Sequence, residues 1–150
     1  MVDVVSVGGQ HADIRDESIT VVTGPYPWEA GAHLSYIRGS FAPNVFICNE
    51  TAPQLVARLT LDKPLVQLTR PNDTPVWVKA SAVSMIRYPL DTELPDPGSN
   101  TVVKSVIIVG GFHQALKQSV TEVHDLLLGS GLNVALLEGD HSHRRMSYRA

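Results

Sequence analysis

The sequence predicts an α+β protein: two tandem ββββα modules packed as one pseudo-symmetric body, followed by a C-terminal extension. Three observations lead there. Two helical segments open with the same capping device, strand-like stretches precede each helix in matching order, and nothing in the first copy answers to the residues after the second helix.

The helices are the clearest elements. Ser119 and Glu122 stand at the N-cap and N3 spacing of a capping box, each able to satisfy a backbone N–H left open at a helix start, and Gly129 closes the segment. An offset of 68 carries that box back to Thr51 and Gln54. There Pro53 is tolerated because first-turn N–H groups lack partners anyway. Leu55 and Leu59 then fall where Val123 and Leu127 fall.

Upstream, residues 2–22 align without a gap on residues 66–86 at an offset of 64. Val2 meets Val66, Val4 meets Leu68, Ile14 meets Val78, Ile19 meets Val83, Val21 meets Met85 and Val22 meets Ile86. The same offset pairs Arg15 with Lys79, and the turn formers Gly8-Gly9 with Asn72-Asp73. The growth of the offset from 64 to 68 needs four extra residues, which fit in the proline-rich loop of the second copy.

Each copy reads as one series of elements. A first strand (2–7; 65–69) ends in a turn, and a second extended stretch follows (12–14 resuming at 19–23; 76–80 resuming at 83–88). A loop rich in Pro and Gly comes next (24–28; 89–100), then a third strand (32–37; 102–109), a fourth (45–48; 113–117) and the helix. Val106-Ile107-Ile108-Val109 is apolar on both faces, which predicts a central strand with the helix on one side and the other module on the other. Residues 61–64 form a joint too short for independent domains, so the chain divides into 1–62, 63–129 and a tail, 130–150.

Composition agrees with this plan. A module of about 60 residues buries only around 60% of its unfolded surface, so two of them gain by packing together. Charged residues make up 18% of the chain, below the roughly 25% of a typical soluble domain. Either the protein is compact and proline-rich, or partners cover part of its surface. The net charge of −3 supplies no general attraction to nucleic acid or anionic membranes. Cys48, the single cysteine, has no internal disulfide partner and reads as a small buried hydrophobe. The N-terminus lacks the basic region of a secretory signal and no apolar stretch matches a bilayer, so synthesis in the cytoplasm and no membrane partner are expected.

Chemistry-bearing motifs are sparse. The chain has Ser, His and Asp but no nucleophile elbow, and Gly110-Gly111 reads as a hairpin tip, because no helix follows it directly. No catalytic or cofactor-binding residue is assigned, and the protein is not expected to be an enzyme. Asp140-His141-Ser142-His143 is the best metal candidate, but a tail would hold it with little preorganisation, so it reads as a solvated polar stretch. Arg144, Arg145 and Arg149 beside Tyr148 make a basic patch narrower than phosphate binding usually needs, and nucleic acid is not the expected partner. His124 reads as a residue at the core margin. In Gly24-Pro25-Tyr26-Pro27-Trp28 two prolines stiffen two large rings. The first reading is that Trp28 folds back over the sheet to cap the core; the alternative is a rigid aromatic anchor for a partner.

At Leu68-Thr69-Arg70-Pro71-Asn72-Asp73 through Val83, and again at Gln118-Ser119 with Glu122-Val123, the second copy resembles the small FlbD-like family, named for a flagellar protein. The resemblance spans residues 66–127 and reaches residues 2–59 through the internal repeat. Asp73 stands where the family prefers Gly, Gln118 where it prefers Glu, and the loop 89–100 is longer. The resemblance implies a small β-rich interaction module without established catalytic residues. Similar short proteins occur among bacteriophage genes. The expected function is therefore a non-enzymatic structural component of a large assembly, a phage virion accessory of the head-decorating or cementing kind, located in the virion. The alternative is a cytoplasmic adaptor or regulator of bacterial motility. Partners would be protein subunits or further copies of the chain, met through Tyr26, Trp28, Leu136, Leu137, Arg144, Arg145 and Tyr148.

Overall fold

The computed structural model describes residues 1–29, 31–41 and 43–132. These residues form ten strands in three sheets and two helices, an α+β architecture. The first half runs β1 (Val2–Val5), β2 (His11–Ile14), a 3₁₀ turn (Asp16–Ser18), β3 (Ile19–Thr23), a second 3₁₀ turn (Pro27–Glu29), β4 (Ser35–Gly39), β5 (Val45–Cys48) and α1 (Ala52–Arg58). The second half runs β6 (Val66–Thr69), β7 (Pro75–Val78), a 3₁₀ turn (Ala80–Ala82), β8 (Val83–Arg87), another (Asp91–Glu93), β9 (Ser105–Val109), β10 (Phe112–Leu116) and α2 (Val120–Leu128).

Each half thus has five strands where four are expected. The second extended stretch is really two strands, β2–β3 and β7–β8, separated by a 3₁₀ turn that sends them into different sheets. In the first half the turn is pinned by Asp16, a buried carboxylate that accepts the Thr60 N–H at 2.8 Å and pairs with the Met1 amino group at 3.0 Å. Those contacts hold its carboxyl below the usual range, the Thr60 hydrogen bond foremost.

Local devices recur at matching positions in the two halves. The turn between β1 and β2 closes through Gly9 N–H to Ser6 O, that between β6 and β7 through Asp73 N–H to Arg70 O, both at 2.9 Å. Gly9 has φ +86 and Asp73 φ +67, so one left-handed position is filled once by the residue suited to it and once by a short polar one. A register shift interrupts β3 between Ile19 and Val21, and β8 between Val83 and Met85. Asn49 N–H donates to Val5 O, and Lys117 N–H to Thr69 O, which ties the start of each half to its last strand. Both capping boxes are formed, and α2 ends at Leu128. Gly129 adopts the right-handed conformation, and the left-handed residue is Gly131, at φ +101.

The sheets join the halves. Strand order in the five-stranded sheet is β5-β4-β3-β7-β6, with Val21 opposite Val78, Val22 opposite Trp77 and Thr23 opposite Val76 across the antiparallel β3–β7 pair. The other sheets are β1-β2 and β10-β9-β8, where the doubly apolar β9 takes the middle place. The interior is not one cluster but two, and each borrows from the opposite half. Val21 packs with Leu68, Val76, Ile107 and Val123, whereas Leu65 and Trp77 pack with Val22, Ile37 and Leu55. Neighbouring side chains on a strand point to opposite faces, so Val21 and Val22 serve the two clusters from adjacent positions.

Cys48 is fully buried, and desolvation raises its thiol to about 12, so it packs rather than reacts. The halves should therefore unfold together. Trp77→Ala is expected to cost about 3–5 kcal/mol while calorimetry still records one transition, although Trp77 lies in the second half and its cavity in the first; two separate transitions would contradict the shared sheet.

Candidate functional site

Among the described residues, the most exposed aromatic side chain is Trp28, in the loop after β3. Trp28 does not fold back over the sheet: it is 78% exposed and stacks on Tyr26, with ring centroids 4.6 Å apart and planes within 6°. Tyr26 in turn tilts against Tyr36 of β4 at 4.9 Å. The reason is electrostatic anchoring from below. Glu29 accepts the Tyr26 N–H at 3.1 Å and the Tyr36 hydroxyl at 2.8 and 2.9 Å, which fixes the 3₁₀ turn with its tryptophan directed outward. Desolvation first, and then the Glu29 carboxylate, push the Tyr36 phenol up to about 12.

The second half uses the same anchor for a different surface. Glu93, at the position of Glu29 plus 64, accepts the Leu90 N–H at 2.7 Å and binds the Arg87 guanidinium at 2.6 and 2.8 Å. That pairing holds its carboxyl down to about 2. Leu90 and Thr92 stand where the first half has Tyr26 and Trp28, so the aromatic face belongs to one half alone.

Beside this loop lies a cavity of about 210 Å³, lined by Pro25, Leu34, Pro53, Pro75 and Trp77 together with Arg70. Arg70 is 8% exposed and donates from Nε to Thr74 Oγ1 at 2.8 Å and from an Nη to Pro25 O at 3.4 Å. Among the described residues no carboxylate forms a salt bridge with it. Burial accordingly lowers its pKa. A larger concavity of about 490 Å³ lies between β4 and the β9–β10 turn, where Arg38 stacks over the Phe112 ring at 4.1 Å. Among the described residues neither lining includes a histidine or a carboxylate. Among the described residues no cluster of His, Cys, Asp or Glu could hold a metal ion, and no helix is long and apolar enough to cross a membrane.

Of the residues singled out from sequence, Tyr26 and Trp28 come together in one stack. Leu136, Leu137, Arg144, Arg145 and Tyr148, and the Asp140-His141-Ser142-His143 stretch, lie outside the described residues. His124 sits at the core margin beside Asp125, with Nδ1 3.7 Å from its carboxylate. Sequence reasoning missed Glu29, Tyr36, Arg70 and Leu34. For Glu29 a signal existed: it follows Tyr26 by three residues, the spacing of a capping glutamate, and repeats at Leu90 and Glu93. Arg70 was noted only as part of the FlbD-like stretch and Leu34 carries no local signal; the fold brings both to one cavity. No family model, curated protein or solved structure matches the chain.

The phenol of Tyr36 supplies a test. A folded pKa raised above the unfolded value near 10 means that its stabilising effect is complete below pH 10 and is lost as pH climbs toward about 12. Alkaline unfolding of the wild type should therefore steepen in that window, and Tyr36→Phe should remove that component; an unchanged alkaline limb would contradict the Glu29 anchor.

Proposed function

We propose that the protein is a non-enzymatic structural component of a large assembly, a bacteriophage virion accessory of the head-decorating or cementing kind. Its body is one β-rich module used twice, in pseudo-symmetric halves, and its partners are protein subunits of the particle. The observation that carries this reading is Trp28, held outward on Tyr26 by the Glu29 anchor while most large apolar side chains are covered. An exposed ring with its conformation already fixed binds at small entropic cost. The cavity beside it offers an apolar floor and a buried guanidinium without a paired carboxylate, which suits a partner segment carrying an apolar side chain next to an acidic group.

A cytoplasmic adaptor or regulator of bacterial motility is the second reading, and it rests on the FlbD-like resemblance that both readings share. Asp73 adopts φ +67, the conformation that the glycine of the FlbD-like pattern would supply.

Attachment separates these readings from an unrelated role. Trp28→Ala should fold and give up only the stack on Tyr26, about 1 kcal/mol, because the ring covers no core, yet lose about 2 kcal/mol or more of partner affinity, roughly thirtyfold. Co-sedimentation with assembled particles reads the loss directly. Equal co-sedimentation of wild type and variant would remove the loop from the interface, and absence of binding by the wild type would remove the virion reading.

A further inference from the structure

We propose that the cavity beside the aromatic loop captures the C-terminal residue of a partner chain, its free carboxylate on Arg70 and its aliphatic side chain among Pro25, Leu34, Pro75 and Trp77. The inference rests on the reading above, in which protein subunits attach at this loop, and names the part of the partner that enters.

Arg70 is the reason to expect a carboxylate. An arginine is seldom buried without an acidic partner, yet Arg70 is 8% exposed and joins no salt bridge among the described residues. Burial works against its charge, and the group that favours the charge is the Tyr26 phenol, not a carboxylate. Its Nε–H goes to Thr74 Oγ1, and Nη2 makes a long bond to Pro25 O. Of the five N–H groups of a guanidinium, both on Nη1 and one on Nη2 are left over.

Those groups are within reach of an occupant. The side-chain atoms sealed in the interior without a partner are, among the described residues, Ser35 Oγ and His124 Nδ1, so Nη1 of Arg70 is not one of them. It remains accessible, and the space that Arg70 lines is this cavity. Nη1 and Nη2 together offer the two-pronged donor that a carboxylate accepts with both oxygens. The arginine is also held in place. Its backbone N–H donates to Thr74 O at 2.8 Å, as its Nε–H does to the Thr74 hydroxyl, so main chain and side chain are tied to one turn. A donor ordered in advance loses little freedom when a ligand arrives.

Size points to a chain end. The cavity holds about 210 Å³, and one of about 150 Å³ already accepts benzene, so a single aliphatic side chain with a carboxylate fills it. An internal acidic residue would need a second residue for the apolar part, and neighbours in an extended chain point to opposite faces. Residues two apart share a face, but their backbone would have to leave the cavity in both directions. A C-terminal leucine, isoleucine or valine carries both groups on one Cα and needs an exit for the chain on one side only.

NMR titration of the full, isotope-labelled chain with a short N-acetylated glycine-serine peptide ending in leucine tests the proposal. The free acid should bind and shift the Arg70 Nε–H and Trp77 indole resonances. The C-terminal amide, and the free acid ending in glycine, should each bind about tenfold more weakly or worse. Arg70→Gln should bind neither form. Because that change also removes the bonds to Thr74 and Pro25, a second variant is Ala32→Glu, at an exposed position of the lining. It supplies a carboxylate from within and should weaken binding about tenfold, with an unchanged circular dichroism spectrum. Trp28→Ala should bind the peptide like the wild type, since that ring does not line the cavity. Loss of co-sedimentation with particles therefore bears on the virion reading and leaves the peptide result standing. No binding by the wild type, equal binding of acid and amide, or equal binding of an amidated peptide with internal aspartate and leucine overturns the proposal. So does equal binding of free isocaproate, which would make the ligand a small acid.

Discussion

Pairing of β3 with β7 is the constraint on which the rest of the molecule depends. Either half alone would bury only about 60% of the surface its unfolded chain exposes. By lending β6 and β7 to the sheet of the first half, the second half creates one five-stranded layer with an apolar side on each face. Val21 and Trp77 then sit in cores to which their own halves contribute least. Removing that edge would expose both clusters at once, which is why the short joint at residues 61–64 matters less than the main-chain ladder beside it.

The same layer determines where the aromatic loop goes. β4 lies next to β3, so Tyr36 rises beneath the turn at Pro27–Glu29 and offers its hydroxyl to Glu29. Pro75 and Trp77 of β7 line the adjoining cavity together with Pro25 and Leu34 of the first half. A loop of one half is thereby seated on a strand of the other. The two halves share the glutamate anchor but differ in what it presents, rings in one and Leu90 with Thr92 in the other. Matching positions in the two halves carry the same anchor, and the residues that differ around it decide what each one presents.

Much of the local structure was legible because it is written in short-range chemistry. The capping boxes at Thr51–Gln54 and Ser119–Glu122, the turns at Gly9 and Asp73 and the hairpin tip at Gly110-Gly111 each need particular residues at fixed spacing, and each formed. The strand count was misread where Arg15 and Lys79 lead into 3₁₀ turns, because a tight turn between two apolar stretches leaves the alternation on either side nearly intact. Trp28 was misjudged for a related reason. Composition cannot separate an inward tryptophan from an outward one.

The sequence by itself determined the order of elements, their caps and turns, and the recurrence of that order at a near-constant offset. Tertiary structure alone decided that β7 leaves its own half to pair with β3, that Trp77 turns inward while Trp28 turns outward, and that Arg70 comes to lie against Pro25. The physical reason is that a sheet edge is joined by N–H and C=O groups that every residue carries. Side-chain periodicity marks a strand and its faces, but which edges meet is settled only when the whole chain finds the arrangement that covers both apolar clusters.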